Sequence, residues 1–194
     1  QSVMDSFFLP LLCPRQITFL AKAEYFNGTT LVGRLQKWFF TSSGSRPVNR
    51  TSASAGQDAM NTAVEVLNDG DLFGIYPEGT RSPDGRLYKG KTGVARIALA
   101  SGAQVIPVAM IGTGDVNPIG TWFPRPGKVR VKVGDPIYPI EFVNNRGLER
   151  DSYEAIRALT DHIMHQLQQL SGQEYADVYA AEVKKALAEG GDSS

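Results

Sequence analysis

The residues whose types could do chemistry are concentrated between positions 76 and 96. The run Tyr-Pro-Glu-Gly-Thr-Arg-Ser occupies positions 76–82, directly after an apolar segment. Positions 81–96 hold one acid, Asp84, and five basic residues: Arg81, Arg86, Lys89, Lys91 and Arg96. Such a cluster beside a glycine-containing turn suits a phosphate-bearing ligand, because a guanidinium group can donate two parallel hydrogen bonds to phosphate oxygens. From charge alone, a solvated basic surface loop explains the pattern equally well.

The elements that must position this loop alternate between strand and helix patterns. The alternation predicts an α/β fold, a single domain over residues 1–194 with a mixed, largely parallel sheet flanked by helices. Strands are predicted at 17–20, 46–49, 72–76, 105–111 and 128–133, and helices at 29–40, 55–67, 93–101 and, as a C-terminal pair, 151–189. The loop then follows a buried strand, where open α/β sheets usually build ligand sites.

Composition and charge argue against several classes of protein. Twenty Lys and Arg residues balance twenty Asp and Glu residues among 194, so no global positive field points to nucleic acid as a partner. Cys13 is the single cysteine, which excludes an internal disulfide framework. No apolar run reaches the roughly 18 to 20 residues that a membrane-spanning helix needs.

Four sequence blocks stand in order along the first part of the chain. They are Asp5 with the apolar segment after it, Gly-Ser-Arg-Pro-Val-Asn-Arg at 44–50, the run at 76–82, and Val-Ile-Pro-Val-Ala-Met at 105–110. With Phe-Leu-Ala-Lys-Ala-Glu at 19–24, they resemble the 1-acylglycerol-3-phosphate acyltransferase family, whose blocks include H-x-x-x-x-D and F-P-E-G-T-R-S. The resemblance covers about residues 1–137.

The resemblance implies a glycerolipid acyltransferase of phospholipid biosynthesis. Such an enzyme moves a fatty acyl group from acyl-CoA or acyl carrier protein onto 1-acylglycerol-3-phosphate and gives phosphatidic acid. No metal or redox cofactor is implied, since the acyl carrier is a co-substrate. Another lysophospholipid or a glycolipid as acceptor stays open as an alternative.

Asp5 is the catalytic residue that the resemblance assigns within this chain. In the family motif a carboxylate orients a histidine, which takes the proton of the acceptor hydroxyl. Counting back five positions from Asp5 places this histidine immediately before Gln1. Ser2-x-x-Asp5 also fits a capping box at a helix start, which is the structural alternative for Asp5.

The resemblance also implies a set of substrate-binding residues, which are Lys22, Arg50, Glu78, Gly79, Thr80 and Arg81. Arg50 and Arg81 would hold the acceptor phosphate, with Lys22 as a supporting cation. Glu78 would bond the glycerol or brace the loop. Arg46 and Asn49 depart from the family's usual residues, which leaves the shape of the acceptor pocket open.

Other patterns in the chain have competing interpretations. Positions 85–92 formally satisfy the Walker A pattern of a nucleotide hydrolase, but bulky residues fill the interior and no strand directly precedes the first glycine. Arg86, Lys89 and Lys91 are either contacts for coenzyme A phosphates or surface residues. His162 and His165 are predicted to be polar positions of an amphipathic helix rather than metal ligands.

Aromatic and aliphatic residues near the start of the chain predict contact with a membrane surface. Residues 7–12 are apolar nearly all round their predicted helix, and Trp38, Phe39 and Phe40 follow Lys37. An active site for amphiphilic substrates must admit an acyl tail from a bilayer. We therefore expect membrane association at the cytoplasmic face, against the alternative that these side chains are core.

Overall fold

The structure, a computed structural model, describes residues 13–22, 46–48, 55–112 and 127–191. The chain divides into two compact units, one running from Leu9 to Ile75 and the other comprising Gln1–Phe8 and Tyr76–Ser194. The predicted helix at 29–40 and the apolar segment at 7–12 lie outside the described residues.

The described part of the first unit is a parallel three-stranded sheet with a helix. Its elements are β1 (Ile17–Lys22), β2 (Arg46–Val48), α1 (Ala55–Asn68) and β3 (Leu72–Gly74). The strand order is β2-β1-β3, with Leu20 opposite Arg46 and Ile17 opposite Leu72. All three strands run the same way, so their carboxyl ends meet at one edge of the sheet.

Helix α1 forms because its small and apolar residues recur at helical spacing. Ala63 and Val66 are fully buried, and the helix contacts both β2 and β3. The chain leaves the helix at Gly70, whose φ of 83° suits a residue without a Cβ. The predicted helix at 55–67 is therefore confirmed.

Strand β3 is shorter than the predicted strand at 72–76 and is half-buried rather than buried. It ends at Gly74, which lies opposite Phe19. A Cβ at Gly74 would come within 2.3 Å of the Phe19 ring. Glycine at this position therefore lets the aromatic side chain lie against the neighbouring backbone.

The second unit contains eight described elements. They are β4 (Leu87–Tyr88), α2 (Gly93–Ser101), β5 (Val108–Ile111), β6 (Arg130–Val133), α3 (Pro139–Asn144), α4 (Tyr153–Ser171), β7 (Tyr175–Ala176) and α5 (Ala180–Gly191). β4 pairs with β7 in parallel, and β5 pairs with β6 antiparallel. The predicted C-terminal pair of helices corresponds to α4 and α5.

Helix α4 is central to the core of this unit. Its N-cap Ser152 accepts a hydrogen bond from the backbone N–H of Ala155 at 3.1 Å, and Gly172 ends it in the left-handed conformation. The core packs apolar side chains of α2, α3 and α4 together with Ile137; its buried members are Val94, Ala95, Leu99, Ile137, Phe142, Val143, Ala155, Ile156, Leu159 and Ile163.

The α/β class and its parallel strand pairs are confirmed, but the details of the sheet differ from the prediction. The described strands form three small sheets instead of one. The predicted strand at 105–111 is interrupted, because Pro107 has no N–H to donate. Val105 instead makes an isolated antiparallel bridge with Ile137, and β5 begins at Val108. Within the part of the chain that the structure describes, no helix is both long and apolar enough to cross a bilayer.

Candidate functional site

The loop that follows Tyr76 is folded by its own backbone. The N–H of Gly79 donates to the carbonyl of Tyr76 at 3.0 Å, which closes a tight turn. Gly79 has a φ of 70°, in the left-handed region that only glycine enters without strain. The N–H of Lys91 donates to the carbonyl of Pro77 at 2.8 Å and ties the turn to the chain just before α2.

Glu78 lies inside this loop with only 2% of its surface exposed. Its Oε2 accepts a hydrogen bond from the backbone N–H of Tyr88 at 3.1 Å. The N–H groups on either side of Tyr88, those of Leu87 and Lys89, donate to the segment that contains β7. Successive N–H groups of a strand point in opposite directions, so the Glu78 carboxylate takes the place that a second neighbouring strand would occupy.

Burial raises the pKa of the Glu78 carboxyl above its ordinary value. The hydrogen bond from Tyr88 and the positive charge of Lys184 act in the opposite direction and limit that rise. Glu78 therefore braces the loop, which is one of the two roles predicted for it from the sequence.

The second half of the loop is held by a polar network around Asp84. Ser82, 2% exposed, accepts from the N–H of Gly85 at 2.9 Å and donates to Asp84 Oδ1 at 3.3 Å. Arg86 Nε and the Tyr88 hydroxyl each donate to Asp84 Oδ2 at 2.8 Å. Burial alone would raise the pKa of Asp84, but these bonds and the charge of Arg86 lower it to about 2. Asp84 is thus a structural anion.

Two of the basic residues predicted as possible contacts for coenzyme A make ion pairs inside the protein. Arg86 pairs with Asp84 at 2.8 Å and lies 3.8 Å from Glu174. Lys89 pairs with Asp177 at 2.9 Å. The contacts with Glu174 and Asp177 join the loop region to the segment around β7. Arg86 and Lys89 therefore have intramolecular partners, and a contact of either with coenzyme A stays a prediction.

The remaining cations stand beside the turn itself. A Cβ built on Gly79 would lie 3.0 Å from Cδ and 3.3 Å from Nζ of Lys91, so the lysine side chain runs along the glycine. Lys184 of α5 donates a hydrogen bond from its Nζ to Thr80 Oγ1 at 2.9 Å. Arg81 follows directly and is exposed. The turn therefore presents cationic groups around one buried carboxylate.

The structure brings four of the predicted substrate-binding residues together, because Glu78, Gly79, Thr80 and Arg81 form one turn. Lys22 is the last residue of β1 and lies opposite Val48 in the sheet of the first unit. Asp5 and Arg50 lie outside the described residues, and their roles stay predictions.

The Walker A match at 85–92 has no phosphate-binding loop geometry. Leu87 and Tyr88, in its middle, form strand β4 and bury both side chains. A phosphate-binding loop needs its backbone N–H groups turned toward the ligand. Here the N–H groups of Leu87, Tyr88 and Lys89 are all used in hydrogen bonds inside the protein.

Both histidines lie on α4, away from the turn at 76–82. His162 stacks on Phe142 with ring centroids 4.8 Å apart, and Arg146 covers the same Phe142 ring at 3.7 Å. Burial and the Arg146 charge lower the pKa of His162. These residues line a cavity of about 330 Å³ between α3 and α4, to which the loop contributes no residue. Across the described ranges, no three His, Cys, Asp or Glu side chains gather in a way that could hold a metal ion.

Three residues that build the site were not singled out from the sequence. Ser82 lies in the run at 76–82 without a predicted role, and nothing in the sequence indicates that Tyr88 bonds to Glu78, Asp84 and Arg86. Lys184 lies 104 residues from Thr80, and nothing local in the sequence joins them.

Comparison with known proteins places this geometry in a family. The family model described as Acyltransferase matches residues 1–111. A chloroplastic 1-acyl-sn-glycerol-3-phosphate acyltransferase of Arabidopsis thaliana is 32% identical over 71% of this chain and 37% of its own length. The corresponding Bacillus subtilis protein is 27% identical over 82% of this chain and 71% of its own length.

A solved structure has the same fold. The crystal structure of the 1-acyl-sn-glycerophosphate (LPA) acyltransferase PlsC from Thermotoga maritima superposes with a TM-score of 0.64 at 30% identity, covering 88% of this chain and 63% of that one. The chain spans well under half of the Arabidopsis protein and somewhat less than two thirds of the Thermotoga protein. Because the family model covers more than half of the sequence, the chain belongs to the acyltransferase family.

Proposed function

We propose that this protein transfers a fatty acyl group from a thioester, acyl-CoA or acyl carrier protein, to the free hydroxyl of 1-acylglycerol-3-phosphate. The turn at Glu78–Arg81 carries the proposal, because it sets exposed cationic groups around a braced carboxylate. The relatives are named 1-acyl-sn-glycerol-3-phosphate acyltransferases, which supports the same acceptor.

The reaction needs a base, an acyl carrier and a site for the phosphate. The acceptor oxygen attacks the thioester carbonyl, a C–O bond forms and the C–S bond breaks. The hydroxyl proton passes to the base and then to the departing sulfur, so charge and atoms balance. The base is the histidine of the family motif, which Asp5 would orient through the other ring nitrogen.

In this proposal the turn binds the phosphate of the acceptor. Arg81 would donate to its oxygens as a planar fork. The family resemblance assigns Arg50 to the same phosphate and Lys22 as a supporting cation. Glu78 keeps the turn in shape, since its carboxylate is directed at the N–H of Tyr88.

We further propose that the protein works at the cytoplasmic face of a membrane, because both its substrate and its product are amphiphiles. The predicted contact residues, at 7–12 and 38–40, lie outside the described part of the chain. Flotation of the protein with anionic liposomes tests this proposal. A Phe8→Ser, Trp38→Ser, Phe40→Ser variant with an intact fold should float less, and equal flotation would contradict it.

The decisive experiment compares the acyltransferase kinetics of Arg81→Ala with those of Arg96→Ala. Losing a charge-assisted phosphate contact costs on the order of 1.5 to 3 kcal/mol, so kcat/KM for 1-acylglycerol-3-phosphate should fall about ten- to a hundredfold in Arg81→Ala. Arg50→Ala should behave alike. Arg96 is an exposed cation on α2 and serves as the matched control. Unchanged acceptor kinetics in both Arg50→Ala and Arg81→Ala would refute phosphate binding at these residues.

The same assay decides between acceptors. A wild-type protein that acylates a phosphate-free lysolipid or glycolipid faster than 1-acylglycerol-3-phosphate would favour the alternative acceptor class.

A further inference from the structure

Helix α5 reaches the turn that the proposed function uses. Lys184 donates from Nζ to Thr80 Oγ1 at 2.9 Å, and the contact is partly buried. Ala180, at the start of α5, is 1% exposed and anchors the helix against the same unit. The next lysine, Lys185, has 77% of its side chain exposed and lies 3.7 Å from Glu189 on the same helix. The two neighbouring lysines therefore have opposite environments.

The segment that precedes α5 fixes this contact from two sides. Strand β7 pairs with β4, and the Lys89–Asp177 ion pair lies just before α5. Gln173 also donates to the carbonyl of Gly85. Because these contacts fix the start of α5 relative to the loop region, they also hold Lys184 beside Thr80.

The bond leaves both partners with donors for an anion. An ammonium group has three N–H donors, of which one meets Thr80. The Thr80 hydroxyl accepts that bond and keeps its own O–H to donate. Lys91 runs along Gly79 on the same turn, and the carboxylate of Glu78 is directed at Tyr88. The electrostatic character of the turn surface at Thr80 is therefore positive.

We propose that Lys184 is a further binding residue for the phosphate of the acceptor, acting with Thr80. Lys184 lies outside residues 1–111, the part that the family model matches, so that match does not assign it. The inference rests on the proposed function for the identity of the substrate. Its chemistry, however, concerns any small phosphate monoester at this turn and can be tested without turnover.

The test is binding of sn-glycerol 3-phosphate, the head of the proposed acceptor, to wild type, Lys184→Met, Lys184→Arg and Lys185→Met. Isothermal titration calorimetry gives the dissociation constant, and competition against the acceptor gives the inhibition constant. Both should rise about tenfold or more in Lys184→Met, as expected for loss of a hydrogen bond to a charged group. Lys184→Arg should recover most of the affinity, and Lys185→Met should match wild type.

The outcomes separate this inference from the proposed function. Glycerol 3-phosphate binding that is equal in wild type and Lys184→Met would overturn the role of Lys184 even if acyl transfer is normal. A fall in kcat or melting temperature with unchanged binding would assign Lys184 a structural role only and also overturn it. If wild type binds glycerol 3-phosphate through Lys184 but transfers no acyl group to 1-acylglycerol-3-phosphate, the proposed function fails and the phosphate site stands.

Discussion

Replacing Glu78 tests whether its carboxylate stabilises the loop by accepting a hydrogen bond from the backbone N–H of Tyr88. In Glu78→Ala the backbone N–H of Tyr88, a fully buried residue, loses its 3.1 Å bond. In Glu78→Gln a side-chain carbonyl oxygen can still accept that bond, and the buried charge is removed. The pair of variants therefore separates the hydrogen bond from the charge.

The magnitude follows from the cost of a buried donor without an acceptor, which is about 1–3 kcal/mol. For a chain of this size each kcal/mol corresponds to about 2–4 °C in melting temperature. We expect Glu78→Ala to lower the free energy of unfolding by about 1–3 kcal/mol at pH 7. The free energy of unfolding of Glu78→Gln should stay within about 1 kcal/mol of the wild-type value.

The pH dependence gives a second, independent readout. The pKa of Glu78 in the folded protein is raised above its ordinary value of 4.5, so folding favours the neutral carboxyl. The stability that this provides is fully present below the unfolded value and is lost as pH rises through the folded pKa. Stability of wild type relative to Glu78→Gln should therefore decline as pH rises above about 4.5 and level off above the folded pKa.

Urea unfolding, followed by circular dichroism between pH 4 and 8, measures these differences. Binding of glycerol 3-phosphate to Glu78→Gln shows whether the turn keeps its shape. Equal destabilisation by Glu78→Ala and Glu78→Gln would refute the argument, because the hydrogen bond that the side-chain oxygen accepts from Tyr88 would then contribute nothing to stability. A wild type that gains stability relative to Glu78→Gln as pH rises would show that the sign of the charge effect is wrong.

Two further predictions concern the segment after the turn. Gly90→Ala should destabilise the fold by about 1–3 kcal/mol in urea unfolding, because the added Cβ would lie 2.8 Å from Sδ of Met164. Gly93→Ala is the control and should not destabilise the fold in this way, since nothing lies within 4 Å of its Cβ. Equal effects of the two substitutions would contradict the packing argument. Purified protein with magnesium should release no phosphate from ATP, and Lys91→Ala should change nothing; turnover abolished by Lys91→Ala would restore the Walker A interpretation.

Much of the fold could be predicted because its signals are local. Helix α1 has its apolar residues at helical spacing and a glycine at its end, and α2 was predicted with the bounds that the structure shows. Helix α3 was missed, although Pro139 at its first turn and Glu141 after it are local start signals. A helix of 6 residues is too short to show a clear period.

The site was predictable only in part, because its bracing depends on contacts between distant segments. The order of residues at 76–82 predicts Glu78 and Arg81 as substrate-binding residues, and these roles stay predictions. The bond from Lys184 to Thr80, and the pairing of Lys89 with Asp177, follow from the parallel pairing of two strands of 2 residues each. Strands this short carry no alternation that a sequence pattern could show, so the cations that make ion pairs could not be told from those available to a ligand.

The pairing of β4 with β7 has a consequence for how the protein is made. The turn meets Lys184 only after 104 further residues have been added to the growing chain. At about 5–20 residues per second, this interval lasts roughly 5 to 20 s. The native hydrogen bonds of the Leu87 and Lys89 N–H groups likewise cannot form before their acceptors, the carbonyls of Glu174, Ala176 and Val178, have been synthesised. Non-local pairing of this kind slows folding, so the bond between Lys184 and Thr80 can form only after the turn and α5 have both been synthesised.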